Sequence, residues 1–312
     1  MQTVRLGRTG AVVSVAGLGC GGASRLGMAR GASAEEAARV VARAIDLGVT
    51  FIDTARAYGT EEAVGMGIRG RRDAIFLSTK SSPSRGGQLL TAAELTDSLD
   101  QSLRRLGTDR VDVFHLHGLT LADYPRAVDE LVPELKRQQT AGKIRFLGVT
   151  EMFGRDTSHA MLAQALPDDH FDVVMIGFNL LNPSARTRVF PQTLKHDVGT
   201  LIMFAVRRAL SDAAALREAV AGLIKTGEVK VADVDADDPL GFLRPYAASG
   251  DLTEIAYRFC RHEPGADVIL TGTGNIAHLE ANLAAIQGPP LPTEALDRLT
   301  RIFGAVDSLS GN

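Results

Sequence analysis

GVTFIDTARAYG, residues 48–59, is a short apolar run that ends on a carboxylate and leads into a polar turn. Val49 to Ile52 have the length and β-branched character of a buried strand, and Asp53 closes it. Just upstream, Ser33 stands where a helix N-cap belongs, with Glu36 three positions on. From there Ala37, Val40, Val41, Ala44, Ile45 and Leu47 recur at helical spacing until Gly48. Before that helix, residues 16–19 form another short apolar strand. Strand, helix, strand in this order is a parallel unit.

The alternation continues to the end of the chain. Further strands are expected at residues 74–78, 111–116, 144–149, 173–176, 200–204 and 268–270. Helices are expected at 91–106, 123–141, 158–166, 184–196 and 212–225, with closing helices at 277–286 and 293–306. Eight such strands predict a closed (β/α)8 barrel. A doubly wound sheet would carry a G-x-G-x-x-G turn after its first strand, and GLGCGGASRLG at 17–27 lacks that spacing. Apolar residues 4–6 and 12–15, around Gly7-Arg8-Thr9-Gly10, predict an N-terminal β-hairpin cap. Residues 226–250, with Pro239, Pro245 and an acidic run through Asp233, Asp235, Asp237 and Asp238, predict a long solvated loop. Residues 1–312 read as one barrel domain.

Composition excludes several classes. Of 312 residues 45% are hydrophobic, enough for a sizeable core, and the net charge of −3 with no basic block argues against nucleic acid. No run of about 18 apolar residues is present to cross a membrane. The N-terminus lacks the apolar core of a signal peptide. The two cysteines, Cys20 and Cys260, predict no disulfide framework. The expected compartment is the cytoplasm.

Barrel chemistry sits at the C-terminal ends of the strands. There the sequence places Asp53 and Tyr58 after the second strand, Lys80 after the third, and His115 and His117 on the fourth. A charged lysine beside Tyr58 is expected to lower the phenol's pKa, and Asp53 to keep the lysine charged. A neutral histidine can hydrogen-bond the oxygen that a tyrosine protonates. Only one of His115 and His117 is expected to face the interior. Such a set suits proton donation to a carbonyl whose carbon takes hydride from a cofactor. Taken singly, each residue also fits a cap, a packing residue or a solvated charge. Two other chemistries are weighed: a metal-dependent hydrolase using His115-Leu116-His117, and a Schiff-base enzyme using Lys80.

LGRTG, GVTFIDTARAYG, FLSTK, SLRRLGTDRVDVFHLH, GKIRFLGVTE and TGTGNIAHLEANL resemble, in order, the signature blocks of the aldo-keto reductase superfamily over nearly the whole chain. The resemblance implies an NAD(P)(H)-dependent oxidoreductase on a hairpin-capped (β/α)8 barrel, acting on small carbonyls, alcohols or sugars, most often as a monomer. It implies a catalytic tetrad of Asp53, Tyr58, Lys80 and His117, the histidine being selected over His115 because it lies five residues after Asp112. It implies that Thr150, Glu151 and Met175 stand where the nicotinamide carboxamide is held, although Glu151 and Met175 replace an asparagine and a glutamine. Phe204 stands where a ring stacks on the nicotinamide. Gly272, Thr273, Gly274, Asn275, His278 and Asn282 stand where pyrophosphate, 2′-phosphate and adenine bind. Family habit tilts the cofactor toward NADP(H), while the missing cations at Gly272 and His278 leave NAD(H) open. A cofactor-binding regulatory protein of the same fold is the alternative.

Overall fold

Period-two apolar strands with inward Val, Ile, Leu and Phe close into a cylinder in the computed structural model, which describes residues 1–248 and 250–312. A hairpin of β1 (Thr3–Arg5) and β2 (Val12–Ser14) pairs antiparallel, Val4 opposite Val13. The eight barrel strands are β3 (Ala16–Gly19), β4 (Phe51–Asp53), β5 (Phe76–Ser81), β8 (Val111–Leu119), β9 (Ile144–Glu151), β10 (Val173–Gly177), β11 (Gly199–Met203) and β12 (Val268–Thr271). They pair parallel in that order, and β12 closes on β3. Between β5 and β8 a small antiparallel hairpin, β6 (Ser84–Arg85) and β7 (Gln88–Leu89), turns at Gly86-Gly87.

The barrel interior is packed. Phe51 stacks on Phe76 with centroids 5.4 Å apart, and Phe76 on Phe146 at 6.1 Å. Val113, Val173, Met175, Leu201 and Val268 complete that cluster, which Leu6 and Val13 of the hairpin seal from one end. The functional rim is therefore the opposite, C-terminal end.

The long apolar helices form as their caps dictate. α1 (Ala34–Asp46) opens on a capping box of Ser33 and Glu36, and α3 (Ala92–Leu106) on one of Thr91 and Glu94. α2 (Glu61–Gly67) follows β4. The helix expected at 123–141 is two, α4 (Tyr124–Glu130) and α5 (Val132–Thr140). Pro133 at the start of α5 has no N–H to give and its ring opposes the preceding turn. Pro191 acts likewise, splitting the helix expected at 184–196 into α7 (Ala185–Arg188) and α8 (Phe190–Lys195). The helix α6 (Ala160–Ala165) starts late, because His159 is left-handed, φ 63°. Two strand ends also move: β5 begins at Phe76 rather than 74 and runs on through Lys80, so Lys80 belongs to the strand itself.

After β11 come α9 (Arg208–Ser211) and α10 (Ala213–Thr226), the latter capped by Asp212. The stretch expected as a loop at 226–250 contains 3-10 turns at Val231–Asp233 and Gly241–Tyr246. Ser249, within that stretch, lies outside the described residues. Its acidic run is used locally: Asp238 takes Arg244 at 3.0 Å and Asp235 accepts from the N–H of Asp237 at 2.8 Å. α11 (Leu252–Arg261) then precedes β12, an element not anticipated. α12 (Ile276–Ile286) and α13 (Thr293–Phe303) close the chain. Among the described residues no helix is long and apolar enough to cross a membrane.

Candidate active site

β4, β5 and β8 are neighbours, so their inward residues near the rim meet. Asp53 pairs with Ser78, and Lys80 with His115, in the backbone register. The Lys80 ammonium is fully buried and donates to both Asp53 carboxylate oxygens at 2.6 Å and to the Thr54 carbonyl at 2.9 Å. Ser78 Oγ donates to Asp53 Oδ1 at 2.7 Å. Burial alone would lower the Lys80 pKa, but the Asp53 carboxylate, helped by Tyr58, lifts it above its ordinary value. Lys80 is thus a fixed positive charge at neutral pH.

Tyr58 sits on the turn after β4, in a 3-10 segment Arg56–Tyr58 that ends at left-handed Gly59. Lys80 Nζ lies 5.1 Å from the Tyr58 ring centroid. The expectation of a lowered phenol pKa does not hold. Burial pushes the pKa above 10, and this outweighs the pull of Lys80 the other way. The phenol is therefore protonated across the neutral range, a donor rather than a base. Gly21 makes room for it: a Cβ there would stand 2.5 Å from the ring.

His117 meets Tyr58 edge-on, ring centroids 5.5 Å apart at 89°. Burial and the Lys80 charge hold its pKa down to about 3, so the imidazole is neutral. The expectation that His115 and His117 differ in facing is also overturned. Residues two apart on a strand share a face, and both rings lie on the barrel side. They differ in depth. His115 is fully buried, its ring against Gly148 of β9, where any Cβ would overlap it. Among the described residues neither ring nitrogen makes a well-formed hydrogen bond, and the Val149 backbone only partly offsets the burial. His117 is half-buried at the rim with Tyr58.

The residues assigned to a nicotinamide are not all gathered. Thr150 Oγ1 faces inward and accepts from the Gly118 N–H at 2.7 Å, keeping its own proton to donate. Met175 is core, 3% exposed among Phe51, Val113 and Leu201. The Glu151 carboxylate is taken up elsewhere. It accepts from the Gly177 N–H at 2.7 Å and bonds His159 Nδ1 at 2.9 Å, while His159 Nε2 bonds Ser184 Oγ at 3.0 Å. His159 in turn stacks on Phe153, centroids 5.3 Å apart, and Phe153 meets Phe204 edge-on at 5.5 Å. Phe204 stands at the end of β11 with φ 68°.

Residues 272–275 open α12. Asn275 caps it by accepting from the His278 N–H at 3.1 Å, and Thr273 Oγ1 accepts from the Asn275 N–H at 3.1 Å. Gly272 has no room for a side chain, because the Gly19 carbonyl would be 2.6 Å from its Cβ. Gly274 packs directly on Gly27 of the loop after β3. His278 is exposed, and Asn282 Nδ2 donates to Thr271 Oγ1 at 2.9 Å. A helix N-terminus with free first-turn N–H groups fits an anionic dinucleotide, and the Thr150 hydroxyl fits a carboxamide oxygen. Glu151 and Met175 add no donor to that fit.

Ser78 is the contact that sequence reading missed, although its place two residues before Lys80 on one strand face marks it. No three His, Cys, Asp or Glu side chains cluster as a metal site among the described residues.

The sequence profile described as "Aldo/keto reductase family" matches residues 17–303. An uncharacterized oxidoreductase of Bacillus subtilis is 24% identical over 308 residues, covering 96% of this chain and 95% of that protein. The L-galactose dehydrogenase of Arabidopsis thaliana is 36% identical over 152 residues, 46% of this chain and 47% of that protein. A solved holo-form aldo-keto reductase of Bacillus halodurans superposes with a TM-score of 0.74 at 23% identity, over 99% of this chain and 98% of that one, a likeness of fold. The chain belongs to the aldo/keto reductase family.

Proposed function

We propose that the protein interconverts small aldehydes or ketones and alcohols, sugars included, on one barrel domain, with Tyr58 as proton donor. One observation carries the reading: Lys80 is held at 2.6 Å by Asp53 and 5.1 Å from the centre of the Tyr58 ring, with neutral His117 edge-on to the same ring. When bound, a reduced nicotinamide cofactor supplies the hydride for the carbonyl carbon. Tyr58 gives its hydroxyl proton to the carbonyl oxygen. Lys80 stabilises the phenolate left behind, and Asp53 with Ser78 holds Lys80 in place. His117, an uncharged donor, orients the carbonyl. The alcohol forms; in the oxidising direction the Tyr58 phenolate would take the hydroxyl proton while the carbon's hydride returned to a bound oxidised nicotinamide.

Relatives support this substrate range by name. They include a D-threo-aldose 1-dehydrogenase of Pseudomonas, 26% identical over 229 residues, and an NADP(+)-named aldo-keto reductase of fission yeast, 36% identical over 151 residues. For the cofactor, family habit supports NADP(H), while the absent cations at Gly272 and His278 favour a protein that also accepts NAD(H).

The test is titration with NADPH and NADH, followed by cofactor fluorescence because the chain has no tryptophan. Saturable binding of either, with turnover of a simple aldehyde, supports the reading. Binding without turnover of any aldehyde favours the regulatory alternative, for which the committed Glu151 carboxylate and the core position of Met175 speak. Binding of neither removes the oxidoreductase reading.

A further inference from the structure

Arg207 stands three residues beyond Phe204, where the chain leaves β11 at the barrel mouth. Its guanidinium carbon lies 3.9 Å from the Phe204 ring centroid. Its Nε donates to Asn312 Oδ1 at 2.6 Å. These two contacts fix the plane of the group and leave both terminal nitrogens unpartnered among the described residues. One of them looks across the mouth to Gly22, where a Cβ would be 3.9 Å away. Burial penalises the Arg207 charge, and Gly21, next to Gly22, packs against the Tyr58 ring.

Most other partly or fully buried arginines are paired with a carboxylate, Arg56 and Arg261 being exceptions that bond Ser98 and Gln2. Arg8 pairs with Asp172, Arg72 with Asp112, Arg105 with Glu61, Arg186 with Glu263 and Arg258 with Glu254. Arg207 has no carboxylate within ion-pair distance among the described residues. A half-buried guanidinium with a free fork is a preorganised receptor for a planar, bidentate anion. Its rotamer is already held, so binding orders little more.

We infer that the carbonyl substrate carries a carboxylate, gripped by the Arg207 fork while the carbonyl meets Tyr58 and His117. The inference rests on the oxidoreductase reading and narrows it to short oxo acids. The other candidate anion, a cofactor phosphate, would fit the N-terminus of α12 at Asn275. The Gly21-Gly22 turn, which packs on the Tyr58 ring at one residue and faces Arg207 at the next, places the fork with the reacting carbonyl instead.

The experiment compares 4-oxobutanoate with butanal, equal in chain length, using whichever of NADPH and NADH binds. The wild-type kcat/KM is expected to favour 4-oxobutanoate by about tenfold to a hundredfold, the range a charged hydrogen-bonded pair supplies. In Arg207→Met that ratio falls to about one, while the cofactor Kd stays within about threefold of wild type. Comparable kcat/KM values for the two aldehydes in the wild type overturn the inference and leave the oxidoreductase reading standing. Turnover of neither aldehyde sinks both. A cofactor Kd raised about tenfold in Arg207→Met, with both aldehydes slowed alike, overturns it by giving the fork to a cofactor phosphate. Inhibition of the unmodified protein needs no variant. Butanoate is expected to compete with butanal at concentrations at least about tenfold below those at which butanamide does, and equal inhibition by the two overturns the inference.

Discussion

Tyr58 is under two opposed influences, and burial wins over the Lys80 charge. The group is therefore a proton donor with a pKa above 10. Tyr58→Phe is expected to lower kcat for aldehyde reduction by about 10²–10⁴-fold, the usual worth of a positioned acid, with cofactor affinity unchanged. Retained turnover in that variant removes Tyr58 from the chemistry. In the wild type, the rate of reduction should hold steady from about pH 6 to 9, since neither Tyr58 nor His117, at about 3, titrates there. Lys80→Met leaves the Asp53 carboxylate buried with Ser78 as its remaining side-chain partner among the described residues. It is expected to cost about 3–5 kcal/mol of stability, measured by urea unfolding, because a buried charge loses its counter-ion. Asp53, Tyr58, Lys80 and His117 were legible in the sequence because each falls on or just beyond a strand end. The balance at Tyr58 was not, because burial is a property of the folded rim. The orientation of Glu151 was hidden for the same reason: its partners, His159 eight residues on and Gly177 on the next strand, meet it only in the folded barrel.

Strands and helices were read from periodicity, and that reading fails where one residue type overrides it. All eight barrel strands were visible as short apolar runs. Pro133 and Pro191 cut helices whose apolar spacing continues across them. α11 was missed because its cap, Asp251, follows a stretch dense in proline and glycine. Register carries a sharper consequence. His115 and Gly148 are Cα partners across β8 and β9, and the imidazole fills the space a Gly148 side chain would need. Gly148→Ala is expected to destabilise by about 1–3 kcal/mol through overpacking. His115→Ala opens that space, so the double variant should be more stable than the sum of the two single losses predicts. A double-mutant cycle by chemical unfolding measures the coupling. Strict additivity would mean that β8 and β9 can shift apart without cost.

The molecule as a whole encloses two uncharged histidines inside a barrel rim that already holds Lys80, and this makes its stability depend on acid. Burial and the Lys80 charge depress the folded-state pKa of both His115 and His117, the latter to about 3. Unfolded, each returns to about 6.5. Below that value the unfolded chain binds protons that the folded chain refuses. Their contribution is fully present above about pH 6.5 and is lost as pH falls toward the folded values. Asp267 works the other way. Burial lifts its carboxyl to about 6, so its contribution is present in acid and lost as pH rises through that value. The net slope of the wild type therefore mixes two signs, and a comparison that removes one histidine isolates its share. His115→Leu fills the same interior with an apolar chain that cannot be protonated. From pH 7.5 to 5.0 the urea midpoint of the wild type is expected to fall further than that of His115→Leu. Equal falls would mean that the ring between Lys80 and Gly148 takes up a proton in the folded barrel after all, and the neutral interior argued for His117 would need the same revision.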